Sequence, residues 1–396
     1  MQEFSAKIHE TQAGHPAGAP QPNARRSRLL AAACIAVAAL TLCASQRLLQ
    51  TAALLSARFD APLWVSGLLP GGINNAAPAA AVTQSTAVAA RAGGAAGGAA
   101  TALTKDFDIT ATPADIRVLM EEAATEFAKQ SRDGDIISKT YTKKDGTQSY
   151  GSIAVRNTTA TRKVDIQKTL AEKINLKIDK SKPAVLLFHT HTTEGYEILD
   201  RPWYAANWSS RTENGAKSIV RVGDAVAQML ERAGFQVIHD TTIYDKQYGG
   251  AYDRSRVMVR RVLKENPSIR VTLDIHRDAI HQNDGGHVKP VNTINGKKAA
   301  QVMIITGTQE GSITDFPNWE QNLRFALQLQ KRAESSYPGL MRPLFFCARK
   351  YNMNETPCSL LLEFGSDANT LDEAVYSGRL IGDSLAKLLE GYAAKT

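Results

Sequence analysis

The apolar run Ala184-Val185-Leu186-Leu187-Phe188 constrains this chain more than any other stretch. It shows no alternation of apolar and polar residues, so both faces of a strand built from it must be covered, as in a parallel sheet sandwiched by helices. The run opens directly into His189-Thr190-His191-Thr192-Thr193-Glu194. That order reads as a buried strand ending in a polar mouth, the place where open α/β sheets put their ligands.

The same alternation continues to the end of the chain. Strands are expected at 184–188, 235–239, 270–275, 301–306 and 359–364, with helices between them, which predicts an α/β fold with a mostly parallel sheet flanked by helices over residues 181–396. Residues 215–233 carry Ile219, Val222, Val226, Met229 and Leu230 at helical spacing and stop at Gly234. Further helices are expected at 253–264 and 318–335, and a last one starts at the capping box Thr370-Leu371-Asp372-Glu373. Ahead of this part, residues 106–180 read as a small α+β lead-in. Thr112 and Pro113 start a helix running to about Gln130, and segments 136–142 and 150–155 form a hairpin about Lys144-Asp145-Gly146.

The first hundred residues have a different character. Residues 1–28 are polar and end in Arg25, Arg26 and Arg28; residues 29–44 carry no charge. Positive charge before an apolar segment predicts a cytoplasmic N-terminus, an uncleaved transmembrane anchor over 29–46, and the remainder outside the cytoplasm; a cleaved signal peptide is the competing reading. Residues 47–105 read as a flexible tether, since 76–102 is almost entirely Ala, Gly, Thr and Val. The formal charge of +8 suits an anionic surface such as phospholipid or wall polymer, but no basic run is interleaved with aromatics, so nucleic acid is not an expected partner. Cys34 and Cys43 fall in the apolar segment; Cys347 and Cys358 are expected as buried thiols, a disulfide being the alternative in an oxidising compartment.

Three expected strand ends bear the groups that could do chemistry. The first supplies His189, His191 and Glu194, the third His276-Arg277-Asp278, and the last Glu363 within Leu360-Leu361-Leu362-Glu363-Phe364-Gly365. Two imidazoles and a carboxylate are a standard zinc set that leaves one position open, so His191, Glu194 and His276 are the candidate ligands. Taken singly, a histidine at a strand end is more often a hydrogen-bonded structural residue. The three sites together make the argument for a metal. A hydrolytic site also needs a base outside the metal, and Glu363, an acid in an apolar setting, fits that role, with Arg277 as the group that stabilises the oxyanion. His189, on the same strand face as His191, is an alternative ligand. His239, His281 and His287 carry less weight, the last two read as solvent or substrate contacts in a glycine-rich loop.

The segments His189-Thr190-His191-Thr192-Thr193-Glu194, Asp274-Ile275-His276-Arg277-Asp278-Ala279 and 360–374 together resemble the stage II sporulation protein P family of membrane-anchored peptidoglycan hydrolases. The similarity covers roughly residues 136–389 and the N-terminal anchor. It is similar, more distantly, to zinc-dependent N-acetylmuramoyl-L-alanine amidases, so the resemblance implies a zinc amidase fold, amidase and endopeptidase cleavage of stem peptides, and partnership with sporulation proteins including stage II sporulation proteins D and M. It matches His191 and His276 to metal or catalytic histidines and Glu363 to the catalytic acid. In the amidases the carboxylate ligand comes from the following helix, which here would indicate Glu213 in place of Glu194. The rival readings are a zinc carboxypeptidase trimming the same peptides and a wall-binding scaffold without activity.

Overall fold

The computed structural model describes residues 107–394. The N-terminal anchor, the tether, Cys34 and Cys43 lie outside them. Among the described residues no helix is long and apolar enough to cross a membrane.

An eight-stranded sheet forms the centre. Its strands are β2 (Gln148–Tyr150), β3 (Ile153–Asn157), β4 (Pro183–Phe188), β6 (Gln236–His239), β7 (Val271–Asp278), β10 (Val302–Gly307), β11 (Leu344–Cys347) and β12 (Ser359–Ser366), in the order β2-β3-β11-β10-β12-β7-β4-β6. The neighbouring strands β6, β4, β7 and β12 are mutually parallel. β10 runs antiparallel to β12, whereas β11 and β3 follow β10 in parallel. The sheet is thus mostly parallel with one reversal at its middle. All strand ends that matter for the site belong to the parallel half, so they open at one edge.

Burial explains the apolar runs. Val185, Leu186 and Leu187 on β4 and Leu360 and Leu362 on β12 are fully enclosed, because helices cover both faces. On one side α3 (Val220–Arg232) buries Val222, Val226, Met229 and Leu230 against α6 (Leu371–Glu390), with α5 (Trp319–Ser336) beside it. On the other side α4 (Ala251–Glu265) buries Met258, Val259 and Val262 against Leu186 and Phe188. At the start of α6 the Thr370 hydroxyl accepts from the Glu373 N–H at 3.1 Å, and the Glu373 carboxylate accepts from the Thr370 N–H at 3.1 Å. The capping box therefore forms as its spacing predicts. Gly234, in the left-handed region at φ 83°, ends α3. Cys347 and Cys358 are buried free thiols, and burial pushes them up to about 11 and about 12.

Several expectations need correction. The hairpin is β2–β3, turning at Gly151, and not 136–142 with 150–155. β1 (Arg132–Lys139) instead joins a second, four-stranded sheet with β5 (Trp203–Ala205), β8 (His287–Ile294) and β9 (Lys297–Ala300), in the order β5-β1-β8-β9. β3 pairs with β11, so residues from the expected lead-in supply strands to both sheets. The first helix, α1 (Ala114–Phe127), is shorter than expected. Pro113 occupies its cap position, and the Thr112 hydroxyl accepts from Lys297 Nζ at 2.9 Å instead of capping. Residues 215–233 are interrupted: a 3-10 turn at Gly215–Lys217 precedes α3, with Ser218 extended between them. A short helix, α2 (Ile166–Ala171), is capped by the Asp165 side chain.

Candidate active site at the carboxyl edge of the parallel strands

The turn after β4 is held by its threonines. Thr190 donates from its N–H and hydroxyl to Asp274 at 2.8 and 2.7 Å, Thr192 from its hydroxyl to the His189 carbonyl at 2.8 Å, and Thr193 from its hydroxyl to Asp245 at 2.7 Å. Arg211 also binds Asp245, at 2.6 Å. These bonds fix where residues 189–194 point, a job for which an acid inside an otherwise apolar strand (Asp274 on β7) is needed. Asp274 and Asp245 were not among the residues expected from the sequence. The signal available was an acid, Asp274, interrupting the apolar strand run Val271-Thr272-Leu273-Asp274-Ile275.

His189 and His191 do different things. His189 Nδ1 donates to the Ile275 carbonyl at 2.9 Å, which leaves Nε2 as an acceptor for His239 Nε2 at 2.8 Å. The other nitrogen of His239 lies 3.2 Å from Asp224. Burial, reinforced by the charge of His239, depresses His189 to about 3, so it is a neutral lock with both nitrogens engaged. His191 sits at the mouth, stacked flat on Tyr248 at 4.7 Å and edge-on to His276 at 5.3 Å. Burial holds its ring down to about 4 against the pull of Glu194, so the imidazole is neutral and able to ligate. Its Nδ1 is buried and has no hydrogen-bond partner.

His276 faces Glu194 and Asp274. Its Nδ1 is 3.5 Å from Glu194 Oε2, and its Nε2 is 2.8 Å from Asp274 Oδ1 but out of line for a hydrogen bond. Burial works against a charge on this ring, yet the two carboxylates outweigh it and raise its pKa. Burial likewise opposes a charge on Glu194, and His276 with Arg277 overcomes it, so Glu194 is ionised. The Arg277 N–H donates to Glu194 Oε2 at 3.0 Å.

Glu363 lies beside His276 in the register of β12 and β7. Between Glu363 and Ser366 that register shifts, and Gly365 stands at φ 68°, where a Cβ would come within 2.3 Å of the Asn369 side-chain oxygen. A bulge next to a functional residue re-aims it out of the ladder, and only glycine fits this one. Glu363 Oε2 is shielded from water with no partner. Burial, then the nearby charge of Asp278, pushes its carboxyl up to about 8.

The other candidates are placed as follows. The Arg277 guanidinium donates to the carbonyls of Gly195 at 3.0 Å, Ser210 at 2.6 Å and Asp278 at 3.4 Å, so it clasps the loops behind Glu194. Glu213 is an exposed partner of Lys246 at 3.0 Å. The donor atoms of His191, Glu194 and His276 do not all fall within 4.8 Å of one another; the one such group among the described residues is His281, His287 and Asp367. The first array nonetheless has the chemistry of a divalent site: a neutral imidazole whose buried Nδ1 lacks a partner, an ionised carboxylate, and a second imidazole whose Nδ1 faces that carboxylate. Metal binding would satisfy His191 Nδ1 and displace the proton on His276 Nδ1, with Asp274 at the ring's other nitrogen. Tyr248, Tyr252 and Tyr351 wall the same mouth, Tyr252 standing 5.5 Å from His191 and 5.2 Å from Tyr351.

Fold and site together define an α/β protein with an imidazole–carboxylate array at the carboxyl edge of its parallel strands. Residues 101–386 match the family model of stage II sporulation protein P, and the chain belongs to that family. Stage II sporulation protein P of Bacillus subtilis (strain 168) is 30% identical over 219 residues, which are 52% of this chain; the chain spans about half (51%) of that relative's length. Among solved structures, the N-acetylmuramoyl-L-alanine amidase AmiC2 of Nostoc punctiforme is 14% identical with a TM-score of 0.32, covering 54% of this chain and 98% of that one. The CwlD amidase from Clostridioides difficile, solved in complex with the GerS lipoprotein, is 11% identical with a TM-score of 0.35, covering 52% and 99%.

Proposed function

We propose that this chain is a zinc-dependent peptidoglycan hydrolase, an N-acetylmuramoyl-L-alanine amidase with endopeptidase cleavage as a second activity, acting on septal wall during sporulation. The observation that supports it best is a pair of buried polar atoms without partners, His191 Nδ1 and Glu363 Oε2, beside the His276–Glu194 pair at one sheet edge. A buried polar atom left unsatisfied costs about 1–3 kcal/mol, and such a group calls for an explanation, of which a bound ion or a catalytic role is one.

His191, Glu194 and His276 would hold the zinc, which when bound supplies Lewis acidity for the scissile carbonyl and for a water. Glu363 takes the proton of the attacking water as the C–O bond forms and delivers it to the amine as the C–N bond breaks. Its raised pKa suits both halves, since the group must accept a proton and then release it. Asp274, through the Thr190 N–H and hydroxyl, keeps the His189–Glu194 turn in place. Arg277 is assigned to bracing Glu194 and the 195 and 210 carbonyls, in place of the oxyanion role. The tyrosines at the mouth offer flat faces on which a sugar can lie. In this reading residues 29–46 anchor the chain in the membrane with the catalytic part outside, and stage II sporulation proteins D and M are its partners.

His191→Ala and His276→Ala should each abolish hydrolysis of purified wall and lower bound zinc by one equivalent while the circular dichroism stays native. Full zinc in either variant would refute the ligand assignment. End-blocked stem peptides separate the rival carboxypeptidase, which needs a free terminal carboxylate, from an amidase or endopeptidase, which does not. A scaffold would turn over neither.

A further inference from the structure

We propose that His281, His287 and Asp367 form a second divalent-metal site, distinct from the array of His191, Glu194 and His276. The backbone makes the pair. Gln282 donates to the Gly286 carbonyl at 2.7 Å and Val288 to the Ile280 carbonyl at 2.7 Å, closing a tight loop in which Gly285 takes φ 89°. His281 and His287 are directly opposed across the resulting antiparallel bridge, so their side chains leave on the same face. Their rings are 4.1 Å apart. Asp367, one residue past β12, completes the group: its N–H donates to the Asp278 carbonyl at 2.9 Å, and its Oδ2 lies 3.0 Å from His281 Nε2 and 3.2 Å from His287 Nδ1.

Hydrogen bonding alone accounts for only part of this arrangement. Asp367 Oδ2 accepts from His281 Nε2. His287 Nδ1 points at the same oxygen without making a directed bond, and Asp367 Oδ1 has no partner at all, although Asp367 is only 2% exposed. A cation among the three side chains would give His287 Nδ1 a partner and take the Asp367 carboxylate as its third ligand. Two imidazoles and a carboxylate, with donor atoms all within 4.8 Å, are the donor set of a zinc-type ion, not of calcium or magnesium, which take oxygen. Tyr204 at 4.4 Å and Trp208 at 5.5 Å from the His287 ring cover it on the far side, the kind of shell that orients a ligating imidazole. His281 is half exposed, which leaves an entry path from solvent. Such an ion would staple the 279–286 loop to the end of β12, four residues from Glu363.

The test counts zinc by elemental analysis on the full-length chain and its variants after equilibration with limiting free zinc, with folding checked by circular dichroism. His281→Gln, a change at a half-exposed position, and His281→Ala with His287→Ala should each bind one equivalent less than the parent. The pair His191→Ala with His276→Ala should keep the equivalent that the first variants lose, and all four changes together should keep none. A parent that binds one zinc, lost on changing His281 and His287 but not His191 and His276, would support this site and overturn the zinc assignment of the proposed function. The same zinc count in parent and in both His281 variants would overturn this site, reducing the cluster to a hydrogen-bonded triad, and would leave the other assignment to its own variants.

Discussion

Glu363 sits in an environment far from what a carboxylate prefers. Burial and Asp278 push its carboxyl up to about 8, well above the usual carboxylate range. Because the folded value exceeds the unfolded one, the group adds stability below the unfolded pKa of roughly 4.3 and that contribution is lost as pH rises through about 8. Glu363→Gln should therefore raise the melting temperature of the zinc-free chain above pH 8 relative to wild type, and leave the difference smaller at pH 5; thermal melts at both values check it. Asp278 also binds Arg342 at 2.9 Å. Asp278→Asn removes a like charge and frees a cation, and both changes favour the Glu363 carboxylate, so the acidic limb of the activity profile should move to lower pH. An unmoved limb would mean that another group titrates there. The roles of His189 and His191 could not be told apart from their spacing, since two residues apart on a strand gives the same face. Their difference comes from the Ile275 carbonyl and His239, which sit far away in sequence.

At the scale of elements, the strands and helices that carry unbroken apolar runs or clear caps were legible: β4, β7, β12 and α6 lie where periodicity puts them, and α3 takes up the later part of its expected span. Those missed carry weaker patterns. β8 and β9 are not among the expected strands, although Asn295-Gly296, with both residues at positive φ, is the hairpin signal that joins them. β11, Leu344–Cys347, is too short for a period to show. The reversal at β10 could not be read at all, because an apolar run fits a parallel or antiparallel neighbour equally well. One tight contact between elements offers a test. A Cβ on Gly223 of α3 would fall 2.5 Å from His239 Nε2 and 2.8 Å from the His189 ring. Gly223→Ala forces apart a buried hydrogen-bonded pair, and we expect it to cost roughly 1–3 kcal/mol in denaturant unfolding despite alanine's better helix propensity. A neutral or stabilising result would show that the two imidazoles shift freely.

On the scale of the whole molecule, the edge where β4, β7 and β12 end brings together residues 191, 276 and 363 across the chain, a convergence that parallel topology makes inevitable. The candidate residues were readable because each follows an apolar run; Asp274 showed only as an acid within such a run, and what it, Asp245 and the Gly365 bulge support depends on partners that only the folded backbone defines. If residues 29–46 are the anchor, removing residues 1–102 should move the protein from the membrane pellet to the supernatant and leave hydrolysis of purified wall intact. The claim on which the account rests most heavily is that Glu363 moves the proton without holding the metal. The direct measurement is zinc content and wall hydrolysis of Glu363→Gln in the full-length chain. The account predicts zinc equal to wild type with turnover lowered at least ~10²-fold. Near-normal turnover, or loss of zinc, would contradict it.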